Sequence, residues 1–352
     1  MGWKCLLNDK KEISVTKKRL TLSDIAELSG VSKTTASMIL NGRGNDFRIK
    51  TETCEKVKAI AKKYGYRANV YAKSLQAQRT NVIGLVIPDL TNYGFALTSK
   101  TLEKLCRENG LQLVIACSDD TAEGEKKAIE RLLDRQVDLL ITAPTQHESG
   151  YYRNVAQYTP MLQLDRYISG LEIPSITSND TQSISVLVEN IVRAYRLNEF
   201  FYLGGQLSLS PSQNRLKGFR EGLEQSHLAL DESWVLHQDY QPESGYQMFS
   251  EIVERLGRLP QAVFTASFTL LEGVMRYLTE HQQMDKLLNQ ELHLATFDDH
   301  HLLNALPFHI HSIKQDHQQI AEQTFALIQQ RLAQQKVENV KVDCEILWRK
   351  SN

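Results

Sequence analysis

The chain has 352 residues, 41% hydrophobic and 24% charged, with a formal net charge of −1, the composition of a soluble globular protein of roughly two or three domains. No apolar run approaches the roughly 18 residues of a membrane helix, and the opening Met1-Gly-Trp-Lys-Cys-Leu-Leu-Asn-Asp-Lys10 has no apolar signal core. Neither a membrane span nor secretion is expected. The five cysteines include no Cys-x-x-Cys pair, so they give no zinc or redox signature and fit a reducing, cytoplasmic setting.

The charge is unevenly distributed: residues 1–80 hold 17 Lys and Arg against 7 Asp and Glu, whereas the remainder holds 24 against 35. This asymmetry fits a small basic module for a polyanion joined to a larger acidic body, although a solubilising basic tail has the same signature. A flexible basic leader is expected over 1–20, with Met1–Thr16 outside any pattern and Val15 an alternative start. Thr21-Leu-Ser-Asp24 then carries a capping signature for a helix running to about Ser29. Ile25 and Leu28 share one face of it, Gly30 suits a left-handed turn, and Ser32 is an N-cap for a second helix, Lys33–Leu40. Val57, Ile60, Ala61 and Tyr64 form the apolar stripe of a third. Three short helices closing one core make a helix-turn-helix headpiece over residues 21–68. Ser32, Lys33, Thr34, Thr35 and Ser37 crowd short donors onto the start of the second helix, as close approach to phosphates requires. An ordinary capped, solvated helix has the same pattern.

Residues 69–80 read as a linker, and from Val82 onward β-rich runs alternate with helical ones. Val82–Ile87, Leu111–Ala116, Val137–Thr142 and Met161–Leu164 form one series; Phe200–Leu203, Val235–His237, Ala262–Thr265 and Leu292–Phe297 form another. The intervening helices include 123–136, 181–195, 213–227, 243–256 and 270–281. That order predicts two α/β lobes with parallel sheets, and ligands of such folds bind where the carboxyl ends of strands converge. The candidates there are Asp89, Asp165, Arg166, Arg215 and Asp298, with Phe95 or Phe268 as an aromatic face. Carboxylates accept from vicinal hydroxyls, arginine donates from a planar fork, and aromatic rings cover a sugar face. Singly, each such residue is also an ordinary surface or capping residue. Asp298-Asp-His-His301 is the best argument for a distant alternative, a sugar-processing or metal enzyme, but consecutive residues diverge and no zinc, nucleophile-elbow or phosphate-loop motif accompanies them. Gly204-Gly205 lacks the rest of a dinucleotide fingerprint. Neither catalytic residues, a metal nor a cofactor is expected.

The stretch from Thr21 to Gly42, TLSDIAELSGVSKTTASMILNG, continued by Tyr66-Arg-Ala-Asn69, Ala72-Lys-Ser-Leu75 and Ile83-Gly-Leu-Val-Ile-Pro-Asp89, resembles the lac repressor family of bacterial transcription regulators, and the likeness covers nearly the whole chain. Asn41-Gly-Arg-Gly44, Phe201-Tyr-Leu-Gly-Gly-Gln206, Leu209-Ser-Pro-Ser212, Ser244-Gly-Tyr246 and Leu294-Ala-Thr-Phe-Asp-Asp-His300 are similar to the branch governing sucrose and fructose use. The resemblance implies a hinge helix over 69–80 and a two-lobed, periplasmic-binding-protein-like core over 81–352. The chain would cross three times between lobe 1 (about 82–178 and 308–339) and lobe 2 (about 179–307 and 340–349). It further implies that Lys33, Thr34 and Met38 meet base edges, that Thr21, Ser32, Thr35, Ser37, Asn41 and Thr53 touch phosphates or sugars, and that Asn69 and Leu75 belong to the hinge. Leu75 would wedge into the minor groove, where an isolated linker leucine would otherwise pack on the core.

The chain departs from the family pattern at four places. Met38 stands where the lac repressor has Arg, Ala68 where Pro usually precedes the hinge, and Lys50 where a cap usually opens the third helix, with Thr51 as a substitute. Ser267-Phe268 replaces the ligand-site Asn-Asp, which argues against a galactoside. The implied activity is a homodimeric, cytoplasmic repressor of a sucrose operon, bound to palindromic DNA and released by a fructose-type sugar, free or as its 1-phosphate. A fructose-phosphate-responsive global carbon regulator is the alternative. No leucine heptads follow Val340–Trp348, so a tetramer is not expected.

Overall fold

The computed structural model describes residues 20–42, 44, 46–66, 79–145 and 149–349. The chain divides into two compact units, residues 1–80 and 81–352. In the first, α1 (Leu22–Ser29) opens with a reciprocal capping box: Thr21 N–H donates to Asp24 Oδ2 at 2.7 Å, and Asp24 N–H to Thr21 Oγ1 at 3.3 Å. Gly30 ends the helix at φ 68°, a left-handed conformation that costs a residue without Cβ little. Ser32 caps α2 (Lys33–Leu40), its Oγ accepting from Thr35 N–H at 3.0 Å. The third helix, α3, spans Thr51–Lys63, and no side chain caps it: Lys50 occupies the N-cap and Thr51 is already helical, so Thr51 does not substitute. Ile25, Ala26, Ala36, Ile39, Cys54, Val57 and Ala61 make the core. Two expected core positions differ. Leu28 is 47% exposed because the face that α1 buries is Ile25, Ala26 and Ser29, and Tyr64 is 48% exposed because it is the C-cap of α3, beyond the last buried residue Ala61.

Among the described residues, the second unit holds two sheets of six strands each. Strands β1 (Val82–Ile87), β2 (Gln112–Cys117), β3 (Leu139–Thr142), β4 (Met161–Leu164) and β5 (Ser175–Ser178) form the first sheet together with β11 (Val340–Val342), in the order β11-β5-β4-β3-β1-β2. The second contains β6 (Phe201–Gly204), β7 (Val235–His237), β8 (Ala262–Thr265), β9 (His293–Phe297), β10 (Ile310–Gln315) and β12 (Cys344–Leu347), in the order β12-β10-β9-β8-β6-β7. All neighbours are parallel except the antiparallel pair β10–β12.

Helices cover both faces of each sheet. Against the first lie α4 (Tyr93–Glu108), α5 (Ala122–Asp134), α6 (Ser149–Tyr158) and, late in the chain, α12 (His317–Leu332); with the second go α7 (Asp180–Tyr195), α8 (Ser210–Gln225), α9 (Pro242–Leu256), α10 (Phe268–Glu280) and the short α11 (Asp285–Leu288). Ile83, Leu85 and Ile87 of β1 enter one core with α4 and α12, while Val86 enters another with α5 and α6. Burial on both faces is why this strand is a continuous apolar run.

The three lobe crossings fall at Ser178–Asp180, Gln315–His317 and Val342–Cys344. This corrects the lobe boundaries expected from sequence at two places. Residues 308–315 were expected in lobe 1, but β10 pairs with β9 in the second sheet; residues 340–342 were expected in lobe 2, but β11 pairs with β5 in the first.

Within the second lobe, α9 and α10 approach at two glycines. A Cβ on Gly245 would collide with the Leu270 carbonyl, and one on Gly273 with the Pro242 carbonyl and the Tyr246 nitrogen. Backbone obstacles cannot swing away. Gly273→Ala is therefore expected to lower the unfolding free energy by about 1–3 kcal/mol, whereas Gly150→Ala on α6, with nothing within 4 Å of the new Cβ, should be neutral or slightly stabilising. Urea midpoints of the two variants check this; equal midpoints would contradict the close-approach argument.

Candidate functional site

The headpiece presents α2 with its core side inward and its polar side outward. Ala36 and Ile39 are buried at 0% and 1% exposure, while Ser32, Lys33 and Thr34 are exposed and Met38 half-buried. Lys33, Thr34 and Met38 thus occupy an accessible helix surface suited to base edges. Ser32 Oγ and Thr35 Oγ1 lie 2.8 Å apart within the cap, Asn41 Nδ2 donates to Ser37 Oγ at 3.3 Å, and Thr21 Oγ1 donates to Asp24 at 2.8 Å. These side chains are therefore held by hydrogen bonds within the headpiece itself. Thr53 is half-buried on the first turn of α3. Asn69 and Leu75, like Ala68 and most of the leader, lie outside the described residues.

Between the lobes of the second unit is a cavity of about 570 Å³. Seven of the eight expected ligand residues line it: Asp89, Phe95, Asp165 and Arg166 from the first lobe, and Arg215, Ser267 and Asp298 from the second. They arrive by the strand-end logic: Asp89 two residues beyond β1, Asp165 and Arg166 directly after β4, Asp298 directly after β9. Asp165 and Asp298 take left-handed backbone angles, φ 63° and 68°, which turn the chain sharply off the strand; aspartate tolerates this region better than bulkier residues.

The eighth, Phe268, does not line the cavity. It is the first residue of α10, packs against the core of the second lobe and stacks on His300 at 4.9 Å between ring centroids, so it is not the sugar-stacking face expected. Phe95 lines the cavity, and Tyr240, unexpected from sequence, joins it.

Both arginines are already ion-paired. Arg166 holds Asp120 through both terminal nitrogens, at 2.5 and 3.2 Å. Arg215 Nε donates to Asp180 Oδ2 at 3.0 Å and Nη1 to the Ala266 carbonyl at 2.8 Å, with its guanidinium 3.9 Å over the Phe297 ring. Burial works against the Arg215 charge, but Asp180, Asp298 and Asp165 outweigh it and keep the group protonated. For Asp165, burial together with Asp180 and Asp298 pushes the carboxyl up to about 6, against the pull of Arg215 and Arg166. Asp89 accepts from Thr91 N–H and Oγ1 at 2.6 and 2.7 Å, Ser267 Oγ caps α10 by accepting from Leu270 N–H at 3.3 Å, and Asp298 Oδ1 accepts from Gln315 Nε2 at 2.7 Å.

Sequence reasoning missed Asp119, Asp120, Tyr240, Glu272, Gln315 and His317, all of which line the cavity. Asp119 and Asp120 follow β2, so the strand-end rule applied there would have found them. Gln315 and His317 flank the end of β10, a strand the sequence reading did not identify. The Asp298–His301 cluster disperses: Asp298 faces the cavity, Asp299 bonds Ser312 and Arg349, and His300 meets Tyr93 at 4.6 Å. Among the described residues no group of His, Cys, Asp or Glu is placed to hold a metal ion, and no helix is long and apolar enough to cross a membrane. Acceptors, two guanidinium groups and aromatic side chains around one cavity suit a small polyhydroxylated ligand.

Residues 21–69 match bacterial regulatory proteins of the lacI family, and residues 193–352 match a periplasmic binding protein-like domain. The chain is 44% identical over 313 residues to the sucrose operon repressor of Klebsiella pneumoniae, spanning 89% of this chain and 92% of that one. Its fold is similar to that of the Cra transcriptional dual regulator from Pseudomonas putida in complex with fructose 1-phosphate, with a TM-score of 0.70 and 28% identity over 77% of this chain and 99% of that one. It is also similar to the lac repressor dimer bound to operator and the anti-inducer ONPF, with a TM-score of 0.81 and 24% identity over 95% and 99% of the two chains. On the length and identity of these matches, together with its headpiece and two-lobed core, the chain belongs to the lacI family of bacterial regulatory proteins.

Proposed function

We propose that this chain is a cytoplasmic, sugar-responsive repressor of a sucrose or fructoside utilisation operon, a homodimer that holds a palindromic operator and lets it go when a fructose-type sugar binds. The observation that carries this reading is the assembly of Asp165 and Arg166 from one lobe with Arg215 and Asp298 from the other around one cavity, on a chain whose first unit is a helix-turn-helix headpiece. A ligand that contacts both sets links the lobes, and the crossings beside it are where a change of lobe angle is absorbed. In the headpiece, Lys33, Thr34 and Met38 read bases while Thr21, Ser32, Thr35, Ser37, Asn41 and Thr53 position the helix on the backbone. Asn69 and Leu75 carry the hinge contact. Two-fold operator symmetry then matches the two-fold symmetry of the dimer.

Induction is a difference in operator affinity between sugar-bound and sugar-free states. A tenfold to hundredfold loss of affinity corresponds to roughly 1.4–2.8 kcal/mol of coupling. Arg166 and Arg215 also fit the charge of a sugar phosphate, which supports the second reading, a fructose-phosphate-responsive carbon regulator. Binding to the DNA upstream of the chain's own gene, at fixed salt, with fructose, fructose 1-phosphate or sucrose added, separates them. Release by one fructose species supports the proposal and names the effector; binding indifferent to all three sugars refutes the sugar assignment.

The two ends of the mechanism are separable. Leu75→Ala is expected to weaken operator binding with little change in sugar affinity. Arg215→Lys keeps a cation for Asp180 but loses the planar fork, so operator binding should persist while release demands much more sugar. Equal losses of both affinities in either variant would contradict this division.

A pH dependence follows from Asp165. Its folded pKa of about 6 lies above the usual 3.8, so the sugar-free protein takes up a proton there as pH falls through about 6, and that shift adds stability on acidification rather than removing it. Sugar hydroxyls that donate to the carboxylate favour its charged form. Sugar affinity is therefore expected to fall below about pH 6, with proton release on binding, and Asp165→Asn should bind more weakly but without that fall; calorimetry in two buffers checks both.

A further inference from the structure

The loop of residues 298–305 follows β9 and does two things at once. Asp298 lines the cavity, and His300 meets Tyr93 of the opposite lobe at 4.6 Å between ring centroids. A network behind the loop, centred on Arg349 just beyond β12, fixes its course.

Every nitrogen of the Arg349 side chain is engaged. Nη2 donates to Asp299 Oδ1 at 2.6 Å, Nη1 to Ser312 Oγ at 2.7 Å and to the Ile310 carbonyl at 2.9 Å, and Nε to Asn304 Oδ1 at 3.0 Å. Ser312 Oγ donates to the same Asp299 oxygen at 2.8 Å. The Arg349 and Asp299 side chains are only 10% and 12% exposed, so solvent competes weakly for this pair. The Arg349 backbone N–H donates to His311 Nδ1 at 3.2 Å, which leaves the ring proton on Nε2 to donate to the Tyr195 hydroxyl at 3.0 Å. Burial pushes His311 down to about 4, so the neutral ring that this arrangement needs persists at ordinary pH.

Asp299 and Asn304 stand at opposite ends of the loop, and both are tied through one guanidinium to β10. Asp299 is one peptide from Asp298, which holds its left-handed φ of 68° while its carboxylate accepts from Gln315. We propose that Arg349 is the positioning residue of the effector site: it fixes the 298–305 loop at Asp299 and Asn304 and so presents Asp298 to the ligand, without contacting the ligand itself. This rests on the reading of the cavity as the effector site. Arg349 is outside the cavity lining, and a lysine there reaches only a part of the four acceptors that the planar fork serves.

The test uses the full-length dimer as wild type, Arg349→Lys and Asn304→Ala, the last chosen because Asn304 is exposed and its loss leaves the core intact. Hydrogen exchange of residues 298–305 is measured without sugar, and operator release is titrated with fructose and with fructose 1-phosphate. Arg349→Lys is expected to speed exchange in 298–305 alone and to raise the sugar concentration for half-release by about tenfold or more, the scale on which loss of a group orienting a ligand-binding side chain acts. Asn304→Ala should do the same more weakly, and operator affinity without sugar should stay as in wild type. Unchanged exchange in the loop overturns the inference whatever the sugars do. So does a lower thermal midpoint with an unchanged half-release concentration, since that marks a role in stability alone. A wild-type operator complex that ignores both sugars refutes the effector reading and leaves the exchange measurement to decide on Arg349.

Discussion

The buried ion pair between Asp180 and Arg215 is the constraint on which the second lobe and its cavity depend. Both side chains are 6% exposed and 3.0 Å apart, and charges so placed are tolerated only when paired and hydrogen-bonded. Asp180 is the first residue of α7, directly after the first crossing between lobes; Arg215 lies on α8 and also donates to the Ala266 carbonyl just past β8. One guanidinium therefore binds a crossing, a helix and a strand end, and the Phe297 ring beneath it, 3.9 Å away, limits where it can move. Removing it would strand Asp180 in a dry site, a loss of about 3–5 kcal/mol. The positive charge that the cavity offers a ligand is thus the same charge that holds the lobe together.

The lobes are coupled through the crossings. Gln315, the last residue of β10, accepts from Ser178 Oγ at 2.7 Å and donates to Asp298 at 2.7 Å. It joins the end of β5, the second crossing and the cavity carboxylate in one chain of hydrogen bonds. Asn179 Nδ2 donates to Asp343 Oδ1 at 3.1 Å, linking the first crossing to the third. Under the proposed mechanism, a ligand that displaced the Gln315–Asp298 bond would act directly on the crossing segments, with no further relay required for a sugar to bias the lobe angle.

Most of this architecture was legible in the sequence, and the exceptions share a cause. Strands such as Val82–Ile87 and Ala262–Thr265 are apolar on both faces and declare themselves. Ser175-Ile-Thr-Ser178 and Ile310-His-Ser-Ile-Lys-Gln315 do not, because they carry polar side chains that find partners only in the folded chain: Ser178 with Gln315 across the crossings, Ser312 with Asp299 within the second lobe. Mistaking β10 for lobe 1 and overlooking Gln315 and His317 are one error seen twice. At the cavity, Asp165, Arg166 and Asp298 followed from strand ends; Arg215, expected with them, lies inside α8, and Asp120, three residues past β2, was open to the same rule. Phe268 failed for a local reason. At the first position of α10 its ring turns toward the core and His300, and strand-end position does not fix a side chain's direction.

If the cavity and the headpiece belong to one switch, a single coupling free energy must be visible from both sides. The direct test is the affinity of the dimer for its effector sugar, measured by calorimetry with and without saturating operator at fixed salt, set beside operator affinity with and without saturating sugar. The account predicts that operator weakens sugar binding by the same factor, about tenfold to a hundredfold, by which sugar weakens operator binding. Sugar affinity that is indifferent to operator would contradict it.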